Sequence, residues 1–486
     1  MKKYKLFIDN CWVDASDGAA FVSSNKANDE PVAEFAAATD ADVNSACRAA
    51  RKAFASGVWN EMDANLRAQY LKKAARIMER RAKEMAEFES METGKPIHET
   101  STFDIPVSIW AFDYFADLAK EIRGEVIPTG DFSNHAFDFV TYEPYGVAAI
   151  IAPYNFPLHL LTRSLAPALA AGNTCVIKAS SITPSTAAIM GEVFEEAGFP
   201  AGVVNVVHGL GSKVGNALAG HRDVDIIGFT GSEYVGRQLL KISAESEVIK
   251  KCVLELGGKG PAIVEPDANI DIATTCQIEG FTFNQGEVCC AMTRAILHED
   301  IYDEYIDMLK KKCDAIKIGD PLDPKTRMGA LISEKHLQSV DNFVKGAVAA
   351  GAELLYGGER YTEGSCKNGP FYRPTIVGGI RPDMDIWKDE VFGPVLSVIK
   401  YSDLDEAIDL ANNTQYGLGA NIFTEDLKKA YWTAKKLNAG SVWVNLPNGM
   451  NMACPFGGNK NSGMGREYGT YGLHEYLKVK NNMWRM

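Results

Sequence analysis

The chain has 486 residues, which at about 150 residues per domain means two or three domains. Apolar residues make up 46% and charged residues 23% of it, ordinary globular usage that excludes disordered and fibrous classes. Lys and Arg total 50 against 63 Asp and Glu, a net charge of −13. That acidic balance argues against a nucleic-acid backbone as the main partner.

At the start of the chain the apolar run Leu6-Phe7-Ile8 stops at Asp9. A secretory signal needs an apolar stretch of about 7–15 residues and a membrane span about 20, so neither is expected. Ten cysteines are scattered from Cys11 to Cys454 without a CxxC pair, which predicts reduced thiols in the cytoplasm, not a disulfide framework. From Asp63 to Met91 one long helix is expected. Leu66, Tyr70, Leu71, Ala74, Ile77 and Met78 recur at helical spacing, and Gly94-Lys95-Pro96 supplies the stop. Its charged face, Lys72 to Arg81, reads as solvated surface. The stretch Gly124 to Tyr142, punctuated by Pro and Gly, reads as a hairpin leaving the first domain, and Leu477 to Lys480 as a final strand.

Between residues 145 and 242 strands and helices alternate. Gly146 to Ala152 is a buried strand, Leu158 to Ala171 a helix, and Thr174 to Lys178 the next strand. Thr183 is expected to cap a helix that closes at Gly198, and Val203 to Val207 and Asp225 to Phe229 are further strands. This order predicts a parallel, doubly wound α/β sheet whose ligands sit beyond the strands' carboxyl ends. A second α/β domain begins near Glu255, with strands at Ala262 to Val264 and Ala295 to Leu297 and a helix around 270–284.

Four features carry candidate chemistry. The loops Gly209 to Gly215 and Phe229 to Gly236 each turn from strand into helix, where free N–H groups suit a pyrophosphate, although the first fails the GxGxxG spacing. A glycine at such a turn also serves geometry alone. Lys178, at a strand's carboxyl edge, suits a ribose hydroxyl or a phosphate, or is a plain surface lysine. Cys289 follows a glycine turn and is a nucleophile or an inert buried thiol. Glu255, between two leucines, is a general base of raised pKa or a salt-bridged structural carboxylate. The eight histidines show no metal-ligand spacing.

Pro153-Tyr154-Asn155-Phe156-Pro157, Leu254-Glu255-Leu256-Gly257-Gly258-Lys259, Gly286-Glu287-Val288-Cys289 and Glu390-Val391-Phe392-Gly393-Pro394 follow one another in order. With Glu92 to Pro96 and Pro455 to Gly458, the chain from about residue 5 to its end resembles the aldehyde dehydrogenase superfamily. The resemblance implies two Rossmann-type doubly wound domains plus a small β oligomerisation element. It divides the chain into a cofactor domain (1–122 and 145–254), a catalytic domain (255–465) and an oligomerisation element (123–144 and 466–486), assembled as a homodimer or homotetramer.

The resemblance also implies roles. Cys289 attacks the aldehyde carbon, the Asn155 amide and the Cys289 N–H hold the oxyanion, and Glu255 activates the water that hydrolyses the thioester. A nicotinamide dinucleotide is met by Ile151, Pro153, Tyr154, Lys178, Ser181, Gly211, Gly215, Phe229, Gly231, Ser232, Gly236, Leu256, Glu390 and Phe392, with Glu390 gripping a ribose. Phe156, Arg163, Phe283 and Phe456 are its substrate-side residues. Tyr154 stands for a usual tryptophan and Glu287 for a usual glutamine. Ser181 stands where NAD-preferring relatives often carry glutamate, which predicts that NADP is accepted and even preferred. Arg163 resembles the arginine that acid-aldehyde enzymes turn on a distal carboxylate, but the second arginine is Phe283 here, so a medium aliphatic, hydroxylated or aromatic aldehyde is favoured. Otherwise Arg163 is a helix-surface or interface charge. Cys290 is a neighbour able to form an oxidised pair with Cys289. Competing readings are a semialdehyde dehydrogenase using Arg163, a CoA-acylating relative (disfavoured by Glu255), a cysteine-dependent esterase, and a member that kept only the fold.

Overall fold

The computed structural model describes residues 1–128 and 136–485. Its first large sheet owes its place to apolar runs that can be buried on both faces. Val147–Ile151 is buried at all five positions, as a strand covered on both sides must be. Side chains alternate between faces: Ala148 and Ile150 enter one apolar cluster, while Val147, Ala149 and Ile151 enter another. The helix Pro157–Ala170, with proline in its first turn, packs against this strand and is buried throughout.

Five parallel strands form the centre of this eight-stranded sheet. In space they run Lys251–Glu255, Ile226–Thr230, Val147–Ile151, Thr174–Lys178, Val204–Val207. The chain first builds outward from Val147–Ile151 on one side and then returns to build on the other. The reversal lies between the Val147 and Ile226 strands, and a crevice opens at the carboxyl ends of strands at such a point. The second sheet has seven strands, with Gly260–Val264 and Met292–His298 paired in parallel near its centre. A third, antiparallel sheet joins Glu125–Ile127, Ala136–Pro144 and Leu477–Arg485. The turn of the expected hairpin, residues 129–135, lies outside the described residues. Among the described residues no helix is long and apolar enough to cross a membrane.

Two local expectations are corrected. The helix expected from Asp63 to Met91 is two, Ala64–Arg80 and Ala82–Thr93, broken where Arg81 leaves helical geometry at φ −99° and ψ 9°. Hydrophobic spacing continues across the break, so periodicity alone does not reveal it. Thr183 does not cap the next helix, which runs Ser185–Ala197 with Pro184 at its cap. The capping acceptor comes from far away: the Glu92 carboxylate receives the Ser185 N–H at 3.0 Å and its hydroxyl at 2.7 Å. A carboxylate at a helix start is the favoured charge there.

Candidate active site

The crevice gathers loops from four strand ends. Pro153-Tyr154-Asn155 follows the Val147 strand, and Gly231-Ser232 follows the Ile226 strand, where the Ser232 hydroxyl accepts the Val235 N–H at 3.4 Å to start the helix Glu233–Glu245. Lys178 ends its strand only 4% exposed, and burial pushes its ammonium down to about 8. It meets no carboxylate among the described residues. Gly211 lies beside it, since a Cβ there would stand 3.7 Å from the Lys178 Nζ. His208, nearby, is buried with both ring nitrogens unpartnered, and burial pushes it down to about 3. Ser181 is half-buried in the bend after Lys178. Gly215 closes a π-helical turn, Gly211–Gly215, whose following helix is only five residues long.

On the far wall, Glu390 accepts the Gly258 N–H at 2.9 Å, and burial raises its carboxyl to about 7. A Cβ on Gly257 would fall 2.4 Å from the Glu390 Oε2, so glycine is what lets this carboxylate lie on the turn. Phe392 meets Tyr154 edge-on at 6.1 Å. Ile151, Phe229 and Leu256 are buried, with Leu256 against Gly236.

The turn that leads to Cys289 is strained. After the helix Ile270–Thr282, Asn284 and Gln285 both take left-handed backbone, φ 49° and 53°, followed by Gly286 at 74°. Asparagine tolerates this region and glutamine does so rarely. The turn is held at three points. The Asn284 N–H donates to Glu99 at 2.9 Å. The Asn284 amide donates to the backbone oxygens of Asn155 at 2.9 Å and Glu287 at 3.1 Å. The Gln285 amide donates to the Ala330 carbonyl at 3.1 Å. The Asn155 side-chain amide donates to the same Glu287 carbonyl at 2.9 Å, with one N–H to spare. Cys289 follows, half-buried, its own N–H bonded to no backbone carbonyl. Gly258 allows the approach, because a Cβ there would strike the Cys289 carbonyl oxygen. The hydrogen bond with Cys290 and burial push the Cys289 thiol up, opposed by Arg163. The same contact lowers Cys290, so the pair shares one ionisation.

Glu255 ends its strand 2% exposed, with neither oxygen partnered among the described residues. Burial raises it well above the ordinary carboxylate range, Arg163 pulls it back, and Glu467 and Cys289 push it further up. Arg163 is not the helix-surface or interface charge that sequence allowed. It is 1% exposed, in contact with the Glu467 carboxylate, and its Nη2 donates to the Thr230 hydroxyl at 3.1 Å.

Arg163, Phe156, Phe283 and Phe456 all line one cavity of about 200 Å³ with Cys289. Four phenylalanines contribute to its lining: Phe156 and Phe283 stack at 6.1 Å, and Phe103 stands edge-on to Phe283 at 5.5 Å. Phe103, Asn284 and Glu467 were missed in sequence. Asn284 offered a signal, a residue type suited to positive φ two residues before a glycine; Phe103 and Glu467 offered none. Among the described residues no group of His, Cys, Asp and Glu is arranged to hold a metal ion.

The sequence model of the Aldehyde dehydrogenase family matches residues 12–482. The chain belongs to the aldehyde dehydrogenase family. Retinal dehydrogenase 2 of Mus musculus is 40% identical over 482 residues, 99% of this chain and 91% of that one. A betaine aldehyde dehydrogenase point mutant of Staphylococcus aureus, solved with NAD+, is similar at TM-score 0.97 and 35% identity, covering 100% of this chain and 98% of that one. An aldehyde dehydrogenase of Bacillus cereus, also an NAD+ complex, is similar at TM-score 0.96 and 37% identity, covering 100% and 97%. The two large sheets are thus an aldehyde dehydrogenase fold, and the enzyme is an oxidoreductase of that family.

Proposed function

We propose that this aldehyde dehydrogenase oxidises a neutral aldehyde to its carboxylic acid, with Cys289 as nucleophile, Asn155 and the Cys289 N–H as oxyanion donors, and Glu255 as general base. The observation that carries this reading is Cys289 on the wall of a largely apolar cavity, with a buried carboxyl, Glu255, that no group among the described residues satisfies. An unsatisfied buried carboxyl is costly unless it serves a ligand or water.

The residues of the crevice fit a nicotinamide dinucleotide. Lys178 is a buried cation without an acceptor, beside a glycine turn, and Glu390 keeps one oxygen free for a hydroxyl. Tyr154 and Phe392 supply an aromatic edge. The bound dinucleotide supplies the hydride acceptor that turns a thiohemiacetal on Cys289 into a thioester. The protein's own part is positional and electrostatic. Ionised Cys289 attacks the carbonyl carbon, and the spare Asn155 N–H and the Cys289 N–H meet the oxygen as charge develops, a contribution of about 3–4 kcal/mol for each such donor. Glu255, once ionised, takes a proton from the water that attacks the thioester, releasing the acid and the thiolate. Because both Glu255 and Cys289 are raised and act in their ionised forms, activity rises with pH until both have ionised. NAD and NADP are both taken: solved relatives hold NAD+, and Ser181 opposes no 2′-phosphate.

The chain's organisation supports further parts of the reading. The first sheet serves the cofactor, the second the chemistry, and the third assembly, since Val126, Phe137, Val479, Met483 and Trp484 expose apolar surface on it. A homodimer or homotetramer follows, which sedimentation tests. Ten free thiols suit a reducing compartment such as the cytoplasm. The deciding experiment follows reduced-nicotinamide absorbance with a panel of aldehydes and each dinucleotide. Turnover of neutral aldehydes with either cofactor is expected; no turnover with any aldehyde would refute the reading.

A further inference from the structure

We propose that Glu287 and His336 are positioning residues for hydride transfer: together they clamp the strained Phe392 turn against the turn that leads to Cys289. The inference rests on the dinucleotide-dependent reading above and concerns how the aromatic edge beside the dinucleotide is held in place.

Phe392 has left-handed backbone, φ 57°, which a bulky residue keeps only where its surroundings enforce it. The enforcing element is the helix Glu334–Ala349, capped by Ser333, whose hydroxyl accepts the His336 N–H at 3.1 Å. In its first turn, the half-buried His336 brings Nε2 to 2.7 Å from the Phe392 carbonyl oxygen. A carbonyl only accepts, so the imidazole presents an N–H there. One turn further on, Val340 packs on Gly393, where a Cβ would stand 2.7 Å from the Val340 Cγ2. The helix therefore grips the residues on both sides of one peptide bond.

Glu287, two residues before Cys289, is 1% exposed and enters the same cluster. Its main-chain carbonyl accepts the Asn155 amide at 2.9 Å. Its side-chain Oε1 accepts the Ile332 N–H at 3.2 Å, just ahead of the helix, and the Tyr154 hydroxyl at 3.4 Å. The same oxygen lies 3.5 Å from the His336 Nε2. Beside it Gly286 meets Gly393 so closely that a Cβ would strike the Gly393 carbonyl. Each ring of the aromatic edge is thus tied down: Tyr154 by its hydroxyl to Glu287, and Phe392 by its carbonyl to His336. Neither Glu287 nor His336 lines the aldehyde cavity, so the pair acts on the dinucleotide side alone. Burial raises the Glu287 carboxyl to about 8. At pH 7 it is therefore the neutral acid, whose accepting oxygen a glutamine reproduces.

The test uses His336→Asn, His336→Gln and Glu287→Gln. Glutamine places an amide N–H where Nε2 stands; asparagine places it where Nδ1 stands, out of reach of the Phe392 carbonyl. In single turnovers at saturating dinucleotide, His336→Asn should slow hydride transfer from hexanal by about tenfold to a hundredfold. The rate difference between hexanal and hexanal deuterated at the aldehyde carbon should grow, and calorimetry should show weaker dinucleotide binding. Hydrolysis of para-nitrophenyl acetate without dinucleotide, which needs Cys289 and no hydride step, should keep its wild-type rate. His336→Gln should restore most of the hydride rate, and Glu287→Gln should lose little of it at pH 7. Wild-type hydride transfer in His336→Asn, an equal fall in its ester hydrolysis, or a His336→Gln enzyme as slow as His336→Asn overturns the proposal and leaves the dehydrogenase reading intact. A wild type that hydrolyses the ester but reduces no dinucleotide with any aldehyde refutes both. Should His336→Asn fail to fold, Glu287→Met, which fills the space without the accepting oxygen, is expected to show the same split.

Discussion

Two of the four buried lysines among the described residues of this enzyme, Lys95 and Lys178, have opposite surroundings. Lys95, fully buried, is paired with Asp104 and lies 3.5 Å above the Phe156 ring, with Glu89 and Glu99 beside it. Lys178, almost as buried, has no acceptor among the described residues. The first belongs to a scaffold. Glu89 accepts the Leu158 N–H at 3.2 Å at the start of the helix that carries Arg163, and Glu99 holds the Asn284 turn. The second stands ready for something the protein does not itself provide. A buried charge that is satisfied marks support, and one that is not marks a place for a ligand.

The sharpest way to test that division is to remove the reacting group. Cys289→Ala should lower turnover by about 10⁴-fold or more, with dinucleotide binding by calorimetry unchanged; substantial residual turnover would shift the role to Cys290. Next comes the scaffold. Lys95→Met leaves Asp104 buried and unpaired beside two further carboxyls, and should reduce unfolding free energy by about 3–5 kcal/mol, read by denaturant titration. A stable Lys95→Met would erase the distinction between the two lysines. Asn284→Ala removes the bridge between the Asn155 and Glu287 carbonyls and should lower kcat by about tenfold to a hundredfold with little change in KM, because the oxyanion amide loses its alignment.

The smallest effect is expected at Lys178. Lys178→Ala should weaken dinucleotide binding by about tenfold, or 1.4 kcal/mol, without lowering the melting temperature, since no partner is orphaned. The wild-type dependence on pH has a definite sign. With its pKa pushed down to about 8, Lys178 is cationic below that pH and neutral above it. Affinity should therefore fall between pH 7 and 9 in the wild type and stay flatter in Lys178→Ala. Fluorescence titration of the dinucleotide at several pH values checks both.

Much of the fold is written locally. The run Val147–Ile151 can only be a strand covered on both faces, and Lys178 at the end of Thr174–Lys178 is placed by its strand alone. Cys289 and Glu255 were visible as chemistry and ambiguous as function until their motifs were read together. What sequence hid is held by contacts between distant segments. Glu92 caps a helix 93 residues away, and Glu467 meets Ser164 across 303 residues. Arg163 shows the consequence: its type suggests a substrate clamp or a surface charge, and only its distant partner reveals a paired, buried ion. The left-handed pair Asn284-Gln285 was legible only as a hint in Asn284, because its strain is sustained by Glu99 and Ala330, neither of them near it in sequence.

The central claim is that Cys289 carries the acyl group and Glu255 activates the water that removes it. Rapid mixing of Glu255→Gln with hexanal and saturating dinucleotide tests it most directly. A burst of about one reduced nicotinamide per active site, followed by slow turnover and an acyl mass on the Cys289 peptide, is the predicted result. Steady turnover at the wild-type rate without a burst, or an acyl mass on Cys290, would contradict it.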